Sequence, residues 1–424
     1  MPLGEMTKLI YRYPTFYGFD YQQTGVMVIR GENIGRDGSL TPSNAPCFIS
    51  TEINARFPRT ILEEGDLVMS VRGEVGKTAL ITSEYTGCNI NANTIRISLK
   101  PSLRGNPIRP DFVWAILNSR LGKAQLRRFI AGGVQETITA PEILEVVVPF
   151  MDVQDQQNFV TALQRSMKSR DAKLTQAEIL LNGIDDLLLA ELGLPKPTTD
   201  VRLVYAVRLA TMKARLNAEY YHPERVLAVR AMEKARGRLK AARLAEIADF
   251  KRDVVKVSEN DRYLGLASIE PNTGELTGQD ETATGLAFTF QKDDVLFSRL
   301  RPYLNKVRQA EEPGICSTEF HVIRIKEGLP YAVLPEYLAC VLRSSPILAQ
   351  TRRMMTGNTH PRLANEDVVD LVVPIPDEAA QKRLADEVAG RKEQVRRVRA
   401  EAAALWAKAL EDFERKLLAK GAKA

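Results

Sequence analysis

The chain has 424 residues, of which 44% are hydrophobic and 26% charged, with a formal net charge of +6 and a pI of about 9.0. That length exceeds one ordinary domain and suits two or three. Cys47, Cys88, Cys316 and Cys340 form no C-x-x-C pair, MPLGEMTKLIYRYP has no apolar signal core, and no run of 18 apolar residues occurs. These features exclude a disulfide scaffold and a transmembrane helix, and a soluble cytoplasmic protein with free thiols is expected. The basic balance suits a nucleic-acid partner without requiring one.

The first elements in chain order are short β-rich runs broken by turn residues, as in GVMVIRGENIGRDGSL (25–40). A strand ending in Asp66 follows, then SVRGEVGKTAL (70–80), then a strand ending in Ile-Arg-Ile at Ile97. Gly76-Lys77-Thr78 matches the tail of a phosphate-binding loop. The first-glycine position holds Val71, Gly73 falls two residues late, and Ala79-Leu80-Ile81-Thr82 is β-rich where such a loop opens a helix. A basic turn between two strands is the expectation. An amphipathic helix follows, with apolar Phe112, Ala115, Ile116 and Leu117 and a basic end at Arg127-Arg128. A loop marked by Gly132 then leads to a helix start and a short Val-rich strand closing at Pro149.

From Asp152 to Leu192 there is no Pro and one Gly. Leu174, Ala177, Leu181, Ile184 and Leu188 step by 3 and 4, the seam of a coiled coil. About 40 residues of helix would span roughly 60 Å. GLPKPTTD (193–200) supplies the stop signals.

The same order then recurs. LEEGDLVMSVR (62–72) matches FQKDDVLFSRL (290–300), and CNINANTIRIS (88–98) matches CSTEFHVIRIK (316–326), both 228 positions apart. FVWAILNSRLGKAQLRRF (112–129) matches YLACVLRSSPILAQTRRM (337–354), and EVVVPFMDVQDQ (145–156) matches DLVVPIPDEAAQ (370–381), both 225 apart. RYLGLASIEPNTGEL (262–276) supplies the turn-broken β-rich runs, and Val395, Val398, Ala402, Leu405 and Ala409 repeat the seam. A period this long signals a duplicated domain rather than a solenoid. At the position of the glycine pair the second copy reads SRLRPYLNKVR, with none. What both copies keep is a basic segment after a strand. Two seams in one chain make mutual pairing of the long helices the economical arrangement.

Enzyme machinery is sparse. The three histidines, His222, His321 and His360, form no H-E-x-x-H, and no Cys/His cluster or G-x-S-x-G occurs. Glu414-Arg415-Lys416 has the E-x-K spacing of many nucleases, but it stands in a charged terminal helix and reads as a solvated face. Asp66 and Asp294 suit a turn or strand-end role better than catalysis.

VIRGENI (28–34), GDLVMSVRGEVGKTAL (65–80), GGVQETITAPEILEVVVPFMDVQDQQ (132–157) and GNTHPRLANEDVVDLVVPIPDEAAQ (357–381) follow in repeat order, with RLNAEYYHPE (215–224) as a lead-in to the second copy. In this layout the chain resembles the specificity subunit of Type I restriction–modification systems. The resemblance implies an α/β fold in which two tandem target-recognition domains are separated by long helices. The helices would pair as an antiparallel coiled coil, with the duplicated halves in a pseudo-twofold arrangement. The expected domains are 1–150 and 198–375, with helical spacers at 151–197 and 376–424. The first copy has almost nothing before Tyr11, so its N-terminus is either trimmed or differently built.

The resemblance further implies a non-catalytic reader of a bipartite double-stranded DNA target that positions two methyltransferase subunits and translocase–nuclease subunits. S-adenosylmethionine, ATP and Mg are expected on those partners and no cofactor on this chain. A stand-alone tandem nucleic-acid-binding regulator is the alternative. Base readout falls to loops. The candidates are Arg72, Lys77, Gln135 and Thr137 in the first copy and Arg299, Arg301, Lys306, Asn358, Thr359 and His360 in the second. Arg127, Arg128, Arg352 and Arg353 are candidates for phosphate contacts, or for favourable charge at a helix C-terminus.

Overall fold

The computed structural model describes all residues except 13–20, 42–45, 131–135, 200–203, 209–211, 213–214, 236–238, 259–260, 279–280, 282–284, 356–360 and 422–424. The fold is mixed α/β and divides into two compact units. Unit 1 comprises Met1–Leu174 with Ala400–Ala424, and unit 2 comprises Thr175–Arg399.

In unit 1 a four-stranded antiparallel sheet runs in the order Thr7–Arg12, Thr94–Leu99, Leu67–Ser70, Thr78–Leu80. Every residue of the central strand Leu67–Ser70 is buried because the sheet is covered on both faces. Side chains alternate across a strand. Leu67 and Met69 therefore join a core with Phe112, Trp114 and Leu117, while Val68 joins Ile29, Ile34 and Ile90 on the other side.

Unit 2 repeats the plan with Ala248–Lys251, Phe320–Ile325, Val295–Ser298 and Val307–Gln309. Val295 and Phe297 pack with Tyr337 and Leu338, and Leu296 packs with Ile269, Phe290 and Phe320.

The aspartates shared by the copies precede their strands rather than ending them, because each is a capping residue of the turn that opens the strand. Asp66 Oδ2 accepts from the Glu63 N–H at 2.7 Å, and Asp294 Oδ2 accepts from the Gln291 N–H at 2.7 Å. Each is also ion-paired to the arginine of its Ile-Arg-Ile strand, Arg96 and Arg324, at 2.7 Å.

The expected single amphipathic helix is two helices, Pro110–Asn118 and Arg120–Arg127. Ser119 takes an extended backbone between them, and its hydroxyl accepts from the Gly122 N–H at 3.1 Å. A hydroxyl offering this alternative to the helical ladder favours a break. Unit 2 breaks at Ser344, between Pro335–Val341 and Ser345–Thr351.

The long helices span Val153–Leu192 and Glu378–Gly421. They pair antiparallel within each unit, since partner numbers fall as the other rises. In unit 1, Asp155 pairs with Lys420, the Phe159 and Phe413 rings lie 5.8 Å apart, and Lys173 meets Glu401 at 2.6 Å. In unit 2, Ala177 packs on Val395 and Val398, and the Gly183 carbonyl accepts from Arg391 at 2.8 Å.

The seam differs from the expected one in detail. Leu174 is 36% exposed, and Trp406, not Leu405, is buried beside Ala402. A 3.6-residue helix drifts off a strict 3-4 repeat. The second helix also serves the domain core, where Trp406 and Phe413 pack with Trp114 and Phe112.

Glu414 is not on a solvated face. It is buried, and its carboxylate accepts the Arg120 N–H at the start of the second short helix and pairs with Arg120 Nε at 2.8 Å. In unit 2 the carboxylate of Asp185 accepts the equivalent Ser345 N–H at 2.7 Å. Each cap places negative charge at a helix N-terminus, where unpaired N–H groups favour it.

Candidate nucleic-acid interface

In both units the segment after the central strand is laced to the segment that precedes a short helix. In unit 1, Arg72 forms an isolated antiparallel bridge with Thr137, and the Ile138 N–H donates to the Val71 carbonyl at 3.3 Å. In unit 2, Leu300 bridges Arg362, the Arg301 N–H donates to the Pro361 carbonyl at 2.8 Å, and the Leu363 N–H donates to Arg299 at 3.0 Å. Residues far apart in sequence are thereby held at one edge of each sheet. Gln135, Asn358, Thr359 and His360 lie outside the described residues, on the chain just before these laced positions.

The segment with Gly76-Lys77-Thr78 is the turn joining Leu67–Ser70 to Thr78–Leu80. Its Lys77 N–H donates to the Ser70 hydroxyl at 3.1 Å, and Gly73 and Gly76 take left-handed φ of 76° and 85°. Glycine adopts that region without a Cβ penalty, so these glycines shape a tight reversal.

Lys77 lines an open cavity of about 660 Å³ with Arg36, Glu74, Lys123, Arg127 and Glu136. Glu74 sits between Arg36 and Lys77, with Lys77 Nζ at 3.1 Å. The hydrogen bonds from Arg36 and then Lys77 hold its carboxyl below the usual range. Lys123 donates to the Arg36 carbonyl at 2.8 Å. Burial pushes the Lys123 ammonium down, Asp37 opposes this, and Arg127 adds to it. Four cations against two carboxylates leave the concavity net positive, which favours a polyanion. Sequence reading finds Lys77 and Arg127 but misses Arg36 and Lys123, which carry no motif and reach the cavity only through folding.

The remaining candidates are distributed unevenly. Arg128 lies over the Phe129 ring at 5.5 Å. Arg352 pairs with the buried Glu224 and donates to Thr199 at 3.2 Å, so it ties unit 2 together internally. Arg353 is half-buried and acts electrostatically on Tyr205. Lys306 donates to the Leu266 carbonyl at 2.6 Å, and burial pushes its ammonium down. Arg301 stands in the left-handed region at φ 48°, with its N–H committed to Pro361. Among the described residues, the side chains of Arg299 and Arg301 make no ion pair.

Arg299 acts electrostatically on His321, a buried imidazole whose Nε2 lies 3.3 Å from the Leu363 carbonyl. Burial lowers its pKa from 6.5 to about 4, the Leu363 carbonyl opposes this, and Arg299 and Arg252 reinforce it. The unfolded chain therefore takes up a proton between pH 6.5 and about 4 that the folded chain refuses. The stability contribution is complete above the unfolded value and is lost as pH falls through this window, by roughly 3 kcal/mol in all. Urea titrations of the wild type and His321→Gln at pH 7 and 4.5 are expected to show a shallower acid loss in the variant. Identical pH dependence would remove this account.

No described helix is long and apolar enough to cross a membrane. No family model and no curated protein matches the chain. Solved structures similar to it come from Type I restriction–modification systems. One bears the description "Structural basis underlying complex assembly and conformational transition of the type I R-M system", at 14% identity and TM-score 0.45, covering 99% of this chain and 96% of that chain. The HsdS subunit from Thermoanaerobacter tengcongensis matches at 13% identity and TM-score 0.33, covering 98% and 94%. The Type I S subunit from M. genitalium matches at 14% identity and TM-score 0.37, covering 97% and 95%.

Proposed function

We propose that this chain is the non-catalytic DNA-recognition subunit of a Type I restriction–modification complex. It reads a bipartite double-stranded DNA target, one half-site per unit. The carrying observation is the repeated lacing of Arg72 to Thr137 and of Arg299 and Arg301 to Pro361 and Leu363. The same two segments converge twice in one chain, each time with arginine at the junction. Arginine suits guanine edges and phosphates. The two units differ in the residues at these positions, so the two half-sites differ as well. The long paired helices are the spacer and the mount for two methyltransferase subunits and, through them, for translocase–nuclease subunits. S-adenosylmethionine, ATP and Mg belong to those partners in this reading. The cytoplasm is its place of action.

Co-expression with the methyltransferase subunit, followed by mapping of methylated bases across the host genome, tests this reading. Two short half-sites around a fixed gap are expected. Absence of new methylation with a competent methyltransferase would favour the lone regulator.

On the purified complex, Arg299→Ala is expected to weaken binding of that target by roughly 5- to 150-fold, the size of one lost base contact of about 1–3 kcal/mol. Lys77→Ala removes a cavity cation and is expected to lower the salt-dependence slope by about one. Fluorescence anisotropy at several salt concentrations measures both. Unchanged affinity and slope with a normally folded variant would take that residue out of the interface.

A further inference from the structure

Each unit carries one arginine at the same isolated bridge, but on opposite strands of it. In unit 1, Arg72 after the central strand bridges Thr137. In unit 2, Leu300 stands at the position of Arg72 and bridges Arg362, which stands at the position of Thr137. The register is shared, because the next N–H donates to the carbonyl just before the bridge. Ile138 reaches Val71 at 3.3 Å, and Leu363 reaches Arg299 at 3.0 Å.

A second exchange accompanies the first. Glu319 of unit 2 stands where unit 1 has the neutral Asn91. Its backbone is fixed, with its N–H donating to the Ser317 hydroxyl at 3.2 Å and its carbonyl accepting the Arg299 N–H at 2.8 Å. Its carboxylate accepts from Arg362 Nε at 3.1 Å on both oxygens and from Nη2 at 2.7 Å. This clamp differs from that on Arg352, whose partner Glu224 has a side chain only 1% exposed. The side chains of Glu319 and Arg362 are 25% and 42% exposed, so the pair meets solvent.

A carboxylate on a surface that receives DNA repels phosphates and lowers affinity. It contributes where a guanidinium has to be held in one plane. A base edge is met by two parallel N–H groups, whereas a phosphate accepts a cation from many directions. The five N–H donors of arginine exceed what one carboxylate accepts. We propose that Arg362 reads a guanine in the half-site of unit 2, with Glu319 as its positioning residue. The inference rests on the DNA reading proposed above, and it adds the base and the residue that orients its reader.

The test uses the full-length chain in complex with its methyltransferase partner and duplexes in which each base pair of the mapped target is varied in turn. Competition binding gives the preference at every position. Arg362→Lys keeps the charge and loses the fork. It is expected to flatten the preference for guanine at one base pair by roughly fivefold or more, leaving the other half-site unchanged. Glu319→Gln is expected to flatten the same base pair while raising affinity for unrelated DNA, a split that a merely structural role would not produce. Thermal melts check folding, and Glu319→Gln carries the test if Arg362→Lys unfolds. A guanine preference unmoved in a folded variant overturns the proposal, as does an equal loss on all sequences, which marks a phosphate contact. A wild-type complex with no preference at any position would instead overturn the DNA reading itself, and this proposal with it.

Discussion

Asp66→Ala is expected to destabilise unit 1 by about 3–5 kcal/mol, the effect of removing one partner of a buried ion pair. Arg96 and Asp66 side chains are each 4% exposed, and Arg96 Nε lies 2.7 Å from Asp66 Oδ2. The same carboxylate accepts the Glu63 N–H and the Ser98 hydroxyl. Alanine leaves the buried guanidinium with only the exposed Glu63 carboxylate, at 3.2 Å, as charge partner, and leaves two donors without an acceptor. Asp294→Ala, the same change in the second copy, is expected to cost less. Its arginine, Arg324, is 29% exposed and water can solvate the freed charge. Denaturant unfolding of both variants measures the difference. Equal losses would mean that the turn hydrogen bonds, which both aspartates make, outweigh the ion pair.

Gln381→Ala is expected to cost roughly 3 kcal/mol and to loosen the start of the second long helix. The side chain is fully buried and satisfies three backbone groups. It accepts from the Leu334 N–H at 2.9 Å and donates to the Ala332 and Pro376 carbonyls at 2.8 and 2.9 Å. Unpaired buried groups cost about 1–3 kcal/mol each, and water recovers part of that loss at a helix entrance. Gln156 does the same in unit 1, accepting from Arg109 at 2.9 Å and donating to Pro107 and Met151 at 3.0 and 2.9 Å. Gln156→Ala is therefore expected to match it. Hydrogen exchange at the Leu334 and Arg109 amides reads the local opening, and unaltered protection would sink the idea that these glutamines lock the junction.

The fold was legible where a pattern repeats. The spacing between Asp66 and Asp294, and between Gln156 and Gln381, exposes the duplication before any coordinate is known, and the structure gives each pair one shared job. The long helices were legible from the absence of Pro between Asp152 and Leu192, and the turn at Lys77 from its glycines. Illegible features depend on tertiary partners. Ser119 breaks a helix whose apolar pattern runs straight through it. Trp406 outranks Leu405 because Trp114 waits opposite. Glu414 is buried because a helix N-terminus lies beside it.

The candidate interface is legible only in part. Arg72 and Thr137 meet, and Lys77 and Arg127 line one cavity, yet Arg352 and Lys306 serve internal carboxylates and carbonyls. A basic residue in a loop announces its charge but not whether the chain itself has claimed it.

Unit 1 is assembled from two distant stretches, Met1–Leu174 and Ala400–Ala424, whereas unit 2 is one uninterrupted stretch. Trp406, Phe413 and Leu417 belong to the unit 1 core. During vectorial synthesis, domains generally fold as units and in the order in which they emerge from the ribosome. Here that order is inverted. Unit 2 has all its residues while the last stretch is still being translated, and the first-made half of the chain waits, with Phe112 and Phe159 lacking their aromatic neighbour, until Phe413 leaves the exit tunnel. A chain ending at residue 399 would therefore hold every residue of the second unit while the first still lacked Trp406, Phe413 and Leu417.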